Sequence, residues 1–489
     1  MSERSRTNVR GILSADDLRN QRATIFSDDA TAASTQSAAC WLCGQLCRCL
    51  ALVLGLGTAS LGAAAEPTTP ALIAPAEQPN FVIVVADDLG MECIGGYGGR
   101  SYQTPHIDRL LAAGMQFSHC FSNPYCSPSR GQLLTGRYPL HNGIKRVIFD
   151  PKQHREFLDP AHERSFANQL RDAGYATAMA GKWQLSFLEE RDTIHDFGFD
   201  EYQAWQIWVK GTKTSRYAQP TMRQNGVVLG PNRLAPYGPD ANLAFLTDFI
   251  QRKKHQPFCV YYTSLLPHWP WEPTPDSGIP LLPADGMGNW KRFMPDMVAY
   301  LDKQVGQLVA TLETEGLLNN TVFIFTADNG TDRKVTSRWT DGKHVRNVPG
   351  GKGTMTDAGT RVPLIVCWPG RISAGVVIDD LIDLSDLFPT VLDLAGHKPR
   401  PGINGKSFAA RLLGKPSIPR TWIHVQDQHR RHVRDHQFIL SDTGAMRPVV
   451  ETGRKSARPL ESLTPTQQTA RMALAKALED AISQTQITP

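Results

Sequence analysis

Phe81-Val82-Ile83-Val84-Val85-Ala86-Asp87-Asp88-Leu89-Gly90 is a short apolar run that ends abruptly in two carboxylates and a turn. A run this short, continuous and rich in β-branched residues reads as a strand buried on both faces. Amphipathic stretches and further apolar runs alternate after it. Thr104-Pro105 opens a helix whose apolar face is Ile107, Leu110 and Leu111, and Gly114 stops it. A helix over Phe166–Ala173 ends at Gly174 and a strand over Tyr175–Ala180 follows. Leu243–Arg252 and Phe258–Thr263 repeat the pair, as do Met297–Leu312 and Val322–Ala327. Val362–Trp368 reads as a strand and Leu384–Leu394 as a helix. Strands separated by helices predict an α/β fold, a mostly parallel central sheet flanked by helices on both faces. After Pro399 the rhythm weakens. A strand over Arg434–Ser441 and an Ala-rich helix over Thr464–Ile482 predict a small C-terminal α+β subdomain.

The expected organisation is an N-terminal polar extension and signal peptide over 1–65, a linker over 66–79, a catalytic domain over 80–398 and a C-terminal subdomain with a helical tail over 399–489. The leader is read from the apolar run Cys49–Leu61, which follows Arg48 and gives way to Ala63-Ala64-Ala65. That run is short for a membrane span and suits a cleaved secretory signal, so export to the periplasm or medium is expected, with no stable span after processing. The polar stretch ahead of it points to a translation start further downstream. With 489 residues, 41% hydrophobic and 20% charged, the composition is that of a globular enzyme. A net charge of +5 is small for this length and gives no case for nucleic-acid binding. Beyond the leader only Cys93, Cys120, Cys126, Cys259 and Cys367 remain, too few and too scattered for a disulfide framework. Cys259 and Cys367 sit in strand-like runs as small hydrophobes.

Asp87-Asp88 ends the first strand, and Asp328-Asn329-Gly330 ends Val322–Ala327. Ligands of an open parallel sheet collect beyond the carboxyl ends of its strands, so both clusters should meet in one crevice. Oxygen donors of this kind suit Ca²⁺ or Mg²⁺. Either motif alone reads as a turn; two at equivalent strand ends favour a metal.

Cys126-Ser127-Pro128-Ser129-Arg130, followed by Leu134-Thr135-Gly136-Arg137, resembles the signature of the cysteine-type, formylglycine-dependent sulfatases of the alkaline phosphatase superfamily. Several further blocks across about 79–445 resemble the same family: Thr104–Leu110, Ala180-Gly181-Lys182-Trp183, Leu266-Pro267-His268-Trp269-Pro270, Gly351-Lys352-Gly353-Thr354 with Gly359–Pro363, and Gly402–Leu413. The resemblance implies an alkaline phosphatase-like fold and hydrolysis of sulfate esters. It implies oxidation of Cys126 to formylglycine by a formylglycine-generating enzyme, with Arg130 stabilising the hydrated aldehyde. Lys182, His268 and Lys352 are implied to contact sulfate, His268 also as a proton donor. Asp87, Asp88, Asp328 and Asn329, together with the modified Cys126, are implied to hold the metal, Ca²⁺ with Mg²⁺ as the alternative. The metal and these cations would neutralise charge on the sulfate oxygens as the transition state forms. A diol nucleophile can collapse back to the aldehyde and expel sulfate, where a serine ester would be trapped.

One position departs from the family pattern. Gln184 follows Lys182-Trp183 where the family has histidine; glutamine can donate and accept hydrogen bonds but is no base near neutral pH. Gln184 is therefore expected only as a substrate contact, and Asp328 is one candidate to take the proton that releases sulfate. Trp205, Trp208, Trp269 and Trp271 could stack on a sugar. The basic run Gln428–Arg434 could meet a polyanionic glycan, and either set could equally be ordinary structure. The expected substrate is a sulfated small molecule or, by a lean, a sulfated carbohydrate. The rival readings are a phosphonate monoester or phosphodiester hydrolase of the same superfamily, and a weakly catalytic protein that binds sulfated glycans. Asn329-Gly330-Thr331 also fits a glycosylation sequon, a reading that a ligand role for Asn329 disfavours.

Overall fold

The structure, a computed structural model, describes residues 78–281, 291–450 and 457–483. The expected leader and all but the end of the linker lie outside the described residues. In chain order the strands of the main sheet are β1 (Asn80–Ala86), β2 (Met115–Phe121), β3 (Ala176–Gly181), β4 (Glu201–Trp205), β5 (Met222–Gln224), β6 (Val227–Leu229), β7 (Phe258–Thr263), β8 (Thr321–Ala327), β9 (Arg361–Cys367) and β10 (Val376–Asp383). A second sheet contains β11 (Ile423–Gln426), β12 (Arg431–Arg434), β13 (Phe438–Ser441) and β14 (Met446–Pro448). The helices that matter below are α1 (Pro105–Ala113), α2 (Cys126–Thr135), α3 (Phe166–Asp172), α4 (Gly238–Lys253), α5 (Met294–Thr314), α6 (Leu387–Leu394) and α7 (Pro465–Ser483).

The main sheet runs β10-β2-β9-β8-β1-β7-β3-β4-β5-β6. Its central strands, β8-β1-β7-β3-β4, are all parallel, as the helix–strand alternation predicts. Antiparallel pairing enters on the flanks, between β8 and β9, β9 and β2, β4 and β5, and β5 and β6. β1, β7 and β8 are buried at every residue, which explains why they read as unbroken apolar runs.

Sequence and structure part in four places. Met115–Phe121 forms β2, whose alternating buried and half-buried positions carry Ser118 and His119 within the run. Residues 126–135 form α2, buried at all ten positions and so without the one-sided apolar stripe that marks a surface helix. The expected strand Arg434–Ser441 is the end of β12, a turn and β13. Asp435 makes that turn, its Oδ1 accepting the backbone N–H groups of Gln437 and Phe438 at 2.7 and 2.6 Å. Finally, Thr104 takes the N-cap position of α1, but its side chain makes no capping bond to the helix backbone. The carboxylate of Asp302, on α5, accepts the N–H groups of His106 and Ile107 at 3.0 and 2.8 Å instead.

The second sheet is antiparallel, β11-β12-β13-β14, and α7 packs on it through a small core of Val433, Leu440, Met446, Leu474 and Ala477. The basic run lies here with its charges engaged: Arg430 pairs with Asp427, Arg431 with Asp442 and Arg434 with Asp357. All five described cysteines are unpaired and buried. No helix among the described residues is long and apolar enough to cross a membrane.

Candidate active site

The register of β1 on β8 sets Ala86 opposite Ala327. Asp87 and Asp328 therefore leave neighbouring parallel strands at one level, and Asp328 N–H donates to the Ala86 carbonyl at 3.1 Å. Asp88 takes a left-handed backbone (φ 66°), which aspartate tolerates better than most residues. Its N–H donates to Asp328 Oδ1 at 3.2 Å, and Asn329 Nδ2 donates to Asp88 Oδ1 at 2.8 Å. The two acidic clusters thus form one buried group.

Cys126 is the first residue of α2, and its Sγ lies 3.5 Å from Asp87 Oδ1 and 3.9 Å from Asp88 Oδ1. The helix N-terminus presents its positive dipole end to this spot. Burial, then the Asp328 charge, push the Cys126 thiol up to about 12, so the unmodified side chain is a protonated thiol at neutral pH. Arg130, one turn along α2, points into the same cluster. Its Nε donates to Asp328 Oδ2 at 2.9 Å and its Nη1 to the Lys182 carbonyl at 3.0 Å. In this arrangement Arg130 serves the carboxylates and the end of β3.

Lys182 follows Gly181, whose φ is 105° and whose hypothetical Cβ would lie 1.9 Å from the Thr263 carbonyl oxygen. Only glycine fits, and the turn it permits sends Lys182 Nζ to Asp87 Oδ1 and Oδ2 at 2.8 and 2.7 Å. Lys352 Nζ donates to Asp88 Oδ2 at 2.6 Å. His268 Nε2 faces Asp88 Oδ2 at 3.6 Å, while its Nδ1 contacts the Trp269 carbonyl. A carbonyl only accepts, so Nδ1 carries the proton there. Tyr217 Oη holds this loop by donating to the Leu265 and His268 carbonyls at 2.5 and 2.6 Å.

Electrostatics divide the two leading carboxylates. Burial opposes ionisation of Asp87, but Lys182, His268, Arg130 and Lys352 outweigh it and hold the group well below the usual carboxylate range. Asp88 is raised to about 6 by burial, with Asp87 and Asp328 adding to the rise against Lys352 and Lys182. Burial and the neighbouring cations keep His268 well below its ordinary value.

Asn329 Oδ1 is buried and has no hydrogen-bond partner, and it belongs to a side chain tied to Asp88. An orphaned amide oxygen beside three buried carboxylates is a donor set for a hard divalent cation. Asp87, Asp88, Cys126 and His268 also offer ligand atoms within 4.8 Å of one another. The complete burial of Asn329 rules out a sequon role in the folded chain.

Gln184 also takes a left-handed backbone (φ 55°), and its Oε1 is buried without a partner. Its carbonyl accepts Ser127 Oγ at 2.9 Å, which ties the end of β3 to the head of α2. Of the four tryptophans, Trp205 carries the Arg216 guanidinium over its ring at 4.0 Å, and Trp271 is buried with Nε1 on the Pro267 carbonyl. Trp208 donates Nε1 to the Phe149 carbonyl. Trp269 is 40% exposed and has Lys334 Nζ over its ring. Arg216 also joins the carboxylate cluster. No motif surrounds it, yet its Nη1 lies 3.8 Å from Asp87 Oδ2.

Residues 79–397 match the family model described as Sulfatase. The chain belongs to the sulfatase family. This sulfatase is 32% identical over 384 residues to arylsulfatase A of Bos taurus, covering 74% of the chain and 73% of the relative. It is 32% identical over 386 residues to the N-acetylgalactosamine-6-sulfatase of Canis lupus familiaris, covering 74% and 70%. A solved structure in complex with its substrate, D-glucosamine-2-N,6-O-disulfate, superposes with a TM-score of 0.64 at 20% identity over 83% of this chain and 98% of that one, a likeness of fold. The family places the chain among the sulfuric ester hydrolases.

Proposed function

We propose that the chain hydrolyses sulfate esters of carbohydrates with a nucleophile made from Cys126. One observation carries this: Cys126 is buried at the head of α2, 3.5 Å from Asp87, inside a ring where Lys182, Lys352 and Arg130 meet Asp87, Asp88 and Asp328. The named relatives and the fold neighbour supply the carbohydrate part of the reading.

Asp87, Asp88, Asp328 and Asn329 would hold the metal, Ca²⁺ with Mg²⁺ as the alternative, with the modified Cys126 completing the set. When bound, the ion supplies charge neutralisation at the sulfate oxygens and at the nucleophile. Formylglycine at position 126, installed by a formylglycine-generating enzyme, would supply as its hydrate one hydroxyl for attack on sulfur and a second whose deprotonation expels sulfate and restores the aldehyde. Lys182 and Lys352 then bind sulfate oxygens, and His268, neutral in this arrangement, must first take up a proton at Nε2 before it can donate to the leaving oxygen. Arg130 holds Asp328 in place beneath the nucleophile. Residues 80–398 form the catalytic domain and 399–489 the C-terminal subdomain, and the leader directs export.

Steady-state rates on an aryl sulfate, a 6-sulfated N-acetylhexosamine and an aryl phosphonate test the proposal. It expects the sulfate esters to dominate kcat/KM; a preference for the phosphonate would replace it with the phosphonate hydrolase reading.

A further inference from the structure

Cations around the carboxylate cluster can be sorted by what already satisfies them. Lys182 is held by both oxygens of Asp87, Lys352 by Asp88, and Arg130 by Asp328 and the Lys182 carbonyl. Arg216 differs. It is 7% exposed, its Nη1 has no hydrogen-bond partner, and the nearest carboxylate oxygen, Asp87 Oδ2, is 3.8 Å away. That separation exceeds hydrogen-bonding distance, and the Asp87 oxygens are already engaged by Lys182.

Leaving a guanidinium donor buried and unpartnered costs free energy, which an oxyanion bound beside it would relieve. Here the side chain is also pre-positioned. Its guanidinium stacks on Trp205 at 4.0 Å. Its backbone is clamped against Gly238, where a Cβ would lie 2.0 Å from the Arg216 carbonyl oxygen. The next residue, Tyr217, ties the same segment to the His268 loop. Trp205, the stacking platform, lines the same narrow cavity as Gln184.

We infer that Arg216 is a ligand of the substrate's sulfate group, supplying a fixed cationic donor beside Asp87. Guanidinium stays charged at every working pH and offers two parallel donors to an oxyanion. It can hold charge on sulfate but cannot take a proton, and so leaves the base to another group. This inference rests on the sulfatase reading above for its ligand, inorganic sulfate being the shared product.

The test is calorimetric titration of the full-length, Ca²⁺-loaded enzyme with sodium sulfate, alongside Arg216→Gln and Arg216→Lys. Loss of one charge-assisted contact predicts a Kd about tenfold to a hundredfold weaker in Arg216→Gln. Arg216→Lys keeps the charge but loses the fork and the stack, and should fall between the two. Circular dichroism melts separate this from misfolding; should Arg216→Gln fail to fold, Arg216→Lys carries the comparison. Unchanged sulfate affinity in a folded variant, or no saturable sulfate binding by the parent enzyme, overturns the inference. Normal turnover of sulfate esters with Arg216-independent sulfate binding would refute this inference and leave the proposed function standing. Arg216-dependent sulfate binding without turnover by the formylglycine form would do the reverse.

Discussion

Lys182 Nζ sits 2.8 and 2.7 Å from the two carboxylate oxygens of Asp87, so the residue assigned to sulfate and the residue assigned to the metal form one buried ion pair. Substrate, metal and nucleophile therefore share a single electrostatic network. Removing one partner of a buried pair strands the other charge. Lys182→Ala should lower kcat/KM by about 10²–10³-fold and destabilise the fold by roughly 3 kcal/mol. Kinetics and chemical denaturation check both effects.

The route by which Lys182 reaches Asp87 depends on Gly181. With φ at 105° and the Thr263 carbonyl in the way, Gly181→Ala must shift backbone rather than a flexible side chain. A loss of at least about 2 kcal/mol is expected, together with loss of activity beyond what the stability change explains. A variant with parental stability and turnover would show that the end of β3 can relax.

Metal removal should act on stability as well as on rate. Three carboxylates are buried together, and Asp88 is raised to about 6 by burial and by its neighbours. A divalent cation relieves this, and at a free concentration of 100 times Kd it adds about 2.7 kcal/mol. Chelation should lower Tm and abolish turnover, with Ca²⁺ restoring both. Asn329→Ala should raise the Ca²⁺ concentration needed for half-restoration.

The C-terminal sheet should be acid-sensitive. Burial, reinforced by Arg434 and Arg447, holds His432 down at about 3, and His424 is also held well below its ordinary value. The unfolded chain protonates these rings near 6.5 while the folded chain does not, so the unfolded state binds more protons and stability falls as pH drops below about 6.5. The slope is at most about 1.4 kcal/mol per pH unit for each histidine, down to the folded value. His432→Gln should flatten the dependence of denaturation midpoint on pH between 6.5 and 4.

How much of this was legible in the sequence depends on whether burial left a pattern. β1 and β8 are buried on both faces and end in Asp87-Asp88 and Asp328-Asn329, so an apolar run followed by carboxylates announced both the strand and the site. The same total burial hid α2, whose ten residues, Ser127, Ser129, Arg130, Gln132 and Thr135 among them, leave no exposed face and so no apolar stripe. β2 carried a readable alternation through Met115 and Phe117 that Ser118 and His119 obscured. Arg216 had no local signal at all. Its place in the site comes from Trp205, Gly238 and Tyr217, residues brought together only by the fold.

Every step proposed above depends on Cys126 becoming the nucleophile. Mass spectrometry of the Cys126-containing peptide, from enzyme coexpressed with a formylglycine-generating enzyme, tests it directly when paired with turnover of the same sample. The aldehyde and its hydrate are expected at position 126, with activity proportional to the modified fraction and absent in Cys126→Ala. A peptide that remains an unmodified thiol in fully active enzyme would contradict it.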